Sequence, residues 1–98
     1  MKIFVIADPD TALAFGLAGI RGQAVQTALE VPPILQGIDR QRVGLVLITE
    51  ALTEGNRELI ERMLLEPGGL LILEIPAMRG PKAKRARAAE RILSLLRR

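Results

Sequence analysis

The sequence contains no cysteine, histidine, tryptophan or tyrosine, and its aromatic residues are Phe4 and Phe15 alone. Without cysteine there are no disulfides and no thiolate chemistry, and an intracellular setting is expected. Without cysteine or histidine the usual zinc and non-haem iron ligand sets are missing. Ser-His and Cys-His nucleophile pairs are excluded, and no general base titrating near neutral pH is present. The scarcity of aromatics removes the platforms on which nucleic-acid bases stack. Long apolar runs are also lacking: Leu70 to Ile75 already contains Glu74, far short of the roughly 20 residues needed to cross a bilayer. Met1-Lys2 runs directly into a strand-like segment, with nothing resembling a signal peptide. A soluble protein is expected, with any membrane association indirect, through partners.

What is present is a chain of 98 residues, 49% apolar and dominated by aliphatic side chains. That is enough for one core and too little for two. The net charge of +3 hides a division. Residues 1–78 hold six basic and ten acidic groups, a balance of −4, while residues 79–98 hold eight basic groups against Glu90, a balance of +7. We therefore read 1–78 as a globular body and 79–98 as a loop and basic amphipathic helix, where something acidic docks.

Lys2–Ala7 and Val43–Ile48 are apolar without polar alternation, as expected of strands buried on both faces of a parallel sheet. Asp8-Pro9-Asp10-Thr11 predicts a helix cap, with Asp10 or Thr11 as acceptor and a helix running to about Phe15, loosened and ended by Gly16 and Gly19. A weak second strand is expected over Gly22–Thr27. A short helix follows within Leu29–Asp39, starting near Pro32 and Pro33, which are tolerated only in a first turn. A third helical region, interrupted or started near Gly55, turns Leu59, Ile60, Met63 and Leu64 inward and lets Glu58 pair with Arg62. Pro67-Gly68-Gly69 ends it, and Leu70–Ile75 is the fourth strand. The alternation predicts a small Rossmann-like, receiver-like α/β domain with a four-stranded parallel sheet in the order 2-1-3-4.

Three constellations invite a chemical reading. Asp8, Asp10, Thr49 and Glu50 gather at the carboxyl edge of the sheet, where receiver domains hold magnesium. Thr49 stands where a phosphoacceptor aspartate would be needed, so the carboxylates are read as helix caps. Gly16, Gly19 and Gly22 are spaced G-x-x-G-x-x-G, begin late after the first strand, and are read as cap and turn residues rather than a dinucleotide fingerprint. Glu74 in an apolar strand is expected at a wet strand end or facing a basic group. No catalytic, cofactor or metal residue is assigned.

The last helix is the informative element. Ala86, Ala89, Leu93 and Leu96 recur on one side, flanked by Ala88, Ile92 and Leu95, with Lys84, Arg87, Arg91 and Arg98 on other faces. Three readings stay open: packing on its own sheet, docking against a partner helix or coiled coil, or following acidic phosphates of nucleic acid or a membrane surface.

Three stretches together resemble one family. KIFVIADPDTALAFGLAGI (2–20) resembles the opening of the F subunit of V/A-type ATPases, VGLVLITE (43–50) its central strand, and LEIPAMRGP (73–81) its fourth strand and the step into its last helix. Gly16, the Pro32-Pro33 pair and the strongly basic last helix depart from the family pattern. The resemblance implies a non-catalytic subunit of the central rotor stalk, cytoplasmic and peripheral to the membrane. It implies a coiled-coil D subunit as partner inside a hexamer of catalytic A and B subunits, without cofactor or nucleic acid. On that reading Arg85, Arg87, Arg91, Ile92, Leu95 and Leu96 are the expected partner-binding residues, with Gly80 and Pro81 as hinge. The alternative is a receiver-like signalling or partner-binding module that is not phosphorylated.

Overall fold

The computed structural model describes residues 2–77 and, beyond them, Glu90, Arg91 and Ser94, which are helical and exposed. Four parallel strands, β1 (Lys2–Ala7), β2 (Arg21–Ala24), β3 (Val43–Thr49) and β4 (Leu71–Ile75), form one sheet in the order β2-β1-β3-β4. The expected architecture and strand order are both found. β1 and β3 occupy the middle because their continuous apolar sequences can be buried on both faces. Their register, Ile3 opposite Leu45 through Ile6 opposite Ile48, is interrupted between Lys2 and Ile3, where Gly44 is the extra residue of β3.

Side chains alternate across the sheet. Phe4, Ile6, Val46, Ile48 and Ile72 face one layer, formed by α2 (Val31–Gln36), α3 (Glu50–Glu54) and α4 (Arg57–Leu65). Val31, Leu35, Leu52, Ile60 and Met63 fill that core. Val5, Ala7, Leu47 and Ile75 face the other side, where α1 (Pro9–Leu17) contributes Phe15.

Local chemistry moves several boundaries. α1 is capped by Asp8, not by Asp10 or Thr11: the Thr11 amide donates to Asp8 Oδ2 at 3.2 Å and the Thr11 hydroxyl to Asp8 Oδ1 at 2.7 Å. The helix therefore starts at Pro9, where a missing amide costs nothing, and runs past Gly16 to Leu17. Gly19, at φ +87°, makes the turn that follows.

β2 ends at Ala24, short of the expected Thr27. The Gln26 and Thr27 amides are taken instead by Glu30 Oε2 at 2.6 and 2.7 Å, which winds Ala28–Glu30 into a 3-10 turn. α2 continues from it with Pro32 and Pro33 in the first turn and ends at Gln36, three residues before the expected limit.

The third helical region is two helices split at Gly55-Asn56, as the sequence indicated. Asn56 Nδ2 donates to Ala28 O and Leu52 O, both at 2.9 Å, tying the 3-10 turn to the junction. In α4, Ile60 and Met63 are buried and Leu59 packs against the core, but Leu64 is 50% exposed, contrary to the expected inward stripe. Leu64 faces an open cleft beside the edge strand β4 rather than the closed core. Glu58 and Arg62 are both exposed and do not pair; among the described residues the ion pairs are Arg40–Glu66 at 2.9 Å and Arg42–Asp39 at 3.6 Å.

Candidate functional site

Open α/β sheets bind ligands at the carboxyl ends of their strands, which makes that rim the first candidate. Asp8 spends both carboxylate oxygens on Thr11. Thr49 is buried, and its carbonyl accepts the Thr53 hydroxyl at 3.1 Å. Asp10 and Glu50 sit exposed in the first turns of α1 and α3, where a negative charge favours the helix dipole. Among the described residues no group of three His, Cys, Asp or Glu side chains could hold a metal ion. Asp8 is thus committed to capping α1, α3 has no side-chain cap, and a phosphoacceptor aspartate is absent from the end of β3.

The glycines also have structural work. Gly16 lies in the last turn of α1 and Gly19 in the following turn. Gly22 faces β1 so closely that a Cβ there would lie 2.5 Å from the Val5 carbonyl oxygen. None of the three stands at the mouth of a helix, as a pyrophosphate cradle requires.

The sheet edge is different. β4 pairs only with β3 among the described residues, which leaves its outer backbone edge without a strand partner. Glu74 lies exposed on this edge, the wet strand position expected for it. Between β4 and α4 a cleft of about 190 Å³ has Ile48, Ile60, Leu64 and Ile72 as apolar lining, with Thr53, Arg57, Glu61 and Glu74 around them. On the opposite face of β4, Leu71 and Leu73 are 61% and 47% exposed. Sequence reading missed this cleft because it took Leu64 as core. The available signal was the terminal position of β4 in the order 2-1-3-4.

Over residues 3–92 the chain matches the family model of the ATP synthase F/14-kDa subunit. The chain belongs to that family. It is 31% identical over 84 residues to the F subunit of the A-type ATP synthase of Methanothermobacter thermautotrophicus, covering 85% of this chain and 79% of that one. It is 38% identical over 61 residues to the F subunit of the V-type ATP synthase of Thermus thermophilus, covering 61% of this chain and 59% of that one. With the F subunit of the A-type ATP synthase of Thermococcus kodakarensis it shares 40% identity over 60 residues, covering 55% and 59% respectively.

For this member of the family, the residues expected to meet a partner divide by position. Arg91 is helical and exposed. Arg85, Arg87, Ile92, Leu95 and Leu96, with the Gly80-Pro81 joint, lie outside the described residues. No helix among the described residues is long and apolar enough to cross a membrane.

Proposed function

We propose that the chain is a non-catalytic central-stalk subunit of a V/A-type rotary ATPase. It binds the coiled-coil D subunit within the catalytic A and B hexamer and helps couple ATP synthesis or hydrolysis to proton or sodium-ion transport. The observation that carries this reading is the reach of the family match. It spans residues 3–92 and so takes in both the α/β body and the first part of the basic tail. A rim whose first carboxylate, Asp8, is spent on capping its own helix fits a subunit that does no chemistry there.

The tail supplies the contact on this reading. Ile92, Leu95 and Leu96 bury against the D coiled coil, while Arg85, Arg87 and Arg91 meet acidic groups on the shaft or hexamer. Gly80 gives the chain freedom to turn between body and tail, and Pro81 stiffens the start of the next segment. On this reading the protein lies on the cytoplasmic side, peripheral to the membrane through the complex.

Two measurements test the proposal. Tagged chain used as bait in its native extract should recover a coiled-coil D subunit with A and B subunits; recovery of a sensor kinase instead would refute the rotor reading. In the reconstituted complex, reversing Arg85, Arg87 and Arg91 to Glu should weaken assembly at least about tenfold, because like charges then face one another. Unchanged assembly and an unchanged ATPase rate would remove the electrostatic contact.

A further inference from the structure

Three features of the body meet at one place and have no use among the described residues. The first is the outer edge of β4, a run of five residues with no proline, no lysine and no register break. Edge strands are ordinarily blunted by such devices or by charged side chains, because unpaired N–H and C=O groups template a further strand; here Glu74 is the one charged residue of the strand. The second is the pair Leu71 and Leu73, exposed on one face of that strand. The third is the cleft on the other face, where Arg57, Glu61 and Glu74 stand around an apolar floor and make no hydrogen bond or ion pair among the described residues.

Charge identifies the kind of partner. Residues 2–49 hold four basic and four acidic groups and balance to zero. Residues 50–77 hold six glutamates against Arg57 and Arg62, so the whole −4 of the body lies in the segment that forms α3, α4 and β4.

We infer that the edge of β4 is a strand-addition site for an extended segment of a partner protein, with lysine or arginine alternating with apolar residues. Side chains of an added strand alternate between the two faces of the sheet. One set lies over Leu71 and Leu73, which an apolar residue covers. The other enters the cleft beside Ile72 and Glu74. There the aliphatic stem of a lysine or arginine lies on Ile60, Leu64 and Ile72 while its charged head reaches Glu61 and Glu74. Main-chain bonds supply affinity, and the glutamates select against acidic segments. This surface lies on the body and is separate from the tail contact proposed above.

The test uses the full chain and a synthetic heptapeptide alternating lysine and valine, blocked at both ends. A glutamate-valine peptide is the control. Amide hydrogen exchange followed by NMR reads the position, and titration reads the affinity. The lysine peptide should slow exchange of those Leu71–Ile75 amides that point away from β3, and the control should not. Glu61→Lys with Glu74→Lys should weaken binding about tenfold or more, with the circular dichroism melting curve unchanged because both side chains are exposed. Leu73→Ser should weaken the lysine peptide too, because its valines lose their apolar cover on that face.

Equal binding of both peptides, or protection elsewhere, overturns the proposal. So do outer-edge amides already slow in the free chain, which would mean that its own residues cover the edge. Protection that grows with protein concentration alone would assign the edge to a second copy instead. The assay contains no ATPase subunit, so its failure leaves the rotor reading untouched, and failure of the native-extract recovery leaves this one untouched.

Discussion

The junction between α3 and α4 sets where the cleft wall stands, and one substitution probes how tightly it is held. In Gly55→Ala the backbone is no obstacle, since Gly55 has φ −71° and ψ −11°, ordinary right-handed helical values. The new Cβ would instead lie 2.5 Å from the Cβ of Ala28, where carbon atoms prefer about 3.5–4.0 Å. Neither atom is the end of a flexible side chain, so relief requires the 3-10 turn to move away by about 1 Å. That movement pulls against the Asn56 amide, which holds Ala28 O and Leu52 O together at 2.9 Å each. Overpacking of this kind costs about 1–3 kcal/mol, and replacing glycine at a compatible angle returns about 0.4–1 kcal/mol through the unfolded chain. The net expectation is a loss of about 1–2 kcal/mol, or a melting point lower by some 4–16 °C for a domain of this size. Circular dichroism in urea is the suitable assay, because the chain has no tryptophan or tyrosine to follow by fluorescence. The double variant Ala28→Gly with Gly55→Ala removes the collision. It should recover at least about 1 kcal/mol relative to the sum of the single effects. Additive single effects, with a coupling below about 0.5 kcal/mol, would refute the contact.

Two further positions can be tested by the same reasoning. Asn56→Ala removes both of those bonds and should cost about 1–3 kcal/mol in urea unfolding; Asn56→Asp keeps the size but replaces the donor with an acceptor facing two carbonyls, and should cost at least as much. Asp8→Ala should cost about 1–2 kcal/mol through loss of the α1 cap, whereas Asp8→Asn, an equally good capping residue, should be nearly neutral; an Asn variant as unstable as the Ala variant would mean that charge, not capping, is what Asp8 supplies.

How far the sequence spoke depended on the range of the forces involved. β1 and β3 were legible because burial on both faces leaves a continuous apolar run that nothing else explains. Pro32, Pro33 and the Gly55 break were legible because their backbone restrictions act within a residue or two. β2 was misplaced because its residues, Arg21 to Ala24, are exposed and carry little signal. Its end is set by Glu30 reaching back to the Gln26 and Thr27 amides, a choice made by a side chain outside the strand. Leu64 was misread for the opposite reason. Helical periodicity gives its direction correctly, but whether that direction meets core or open cleft depends on where the sheet stops. The partner residues proposed from the tail came from the amphipathic pattern of the last helix, the charge division and the family resemblance together.

The same contrast bears on what this fold is used for. A sheet of this order places the ends of β1 and β3 side by side, and related architectures put chemistry in that crevice. Here the crevice is closed by short-range pairing: Asp8 is committed to Thr11, and Thr53 to the Thr49 carbonyl. A carboxylate engaged in capping must first give up those bonds to bind a cation, and the fold then loses the start of α1. At the sheet edge the situation is reversed. Among the described residues Glu61 and Glu74 hold nothing in place, so a partner can take them without breaking a bond there. A body that commits Asp8 to its own helix, while Glu61 and Glu74 beside its edge strand have no partner among the described residues, suits the proposed role of a subunit held by other chains.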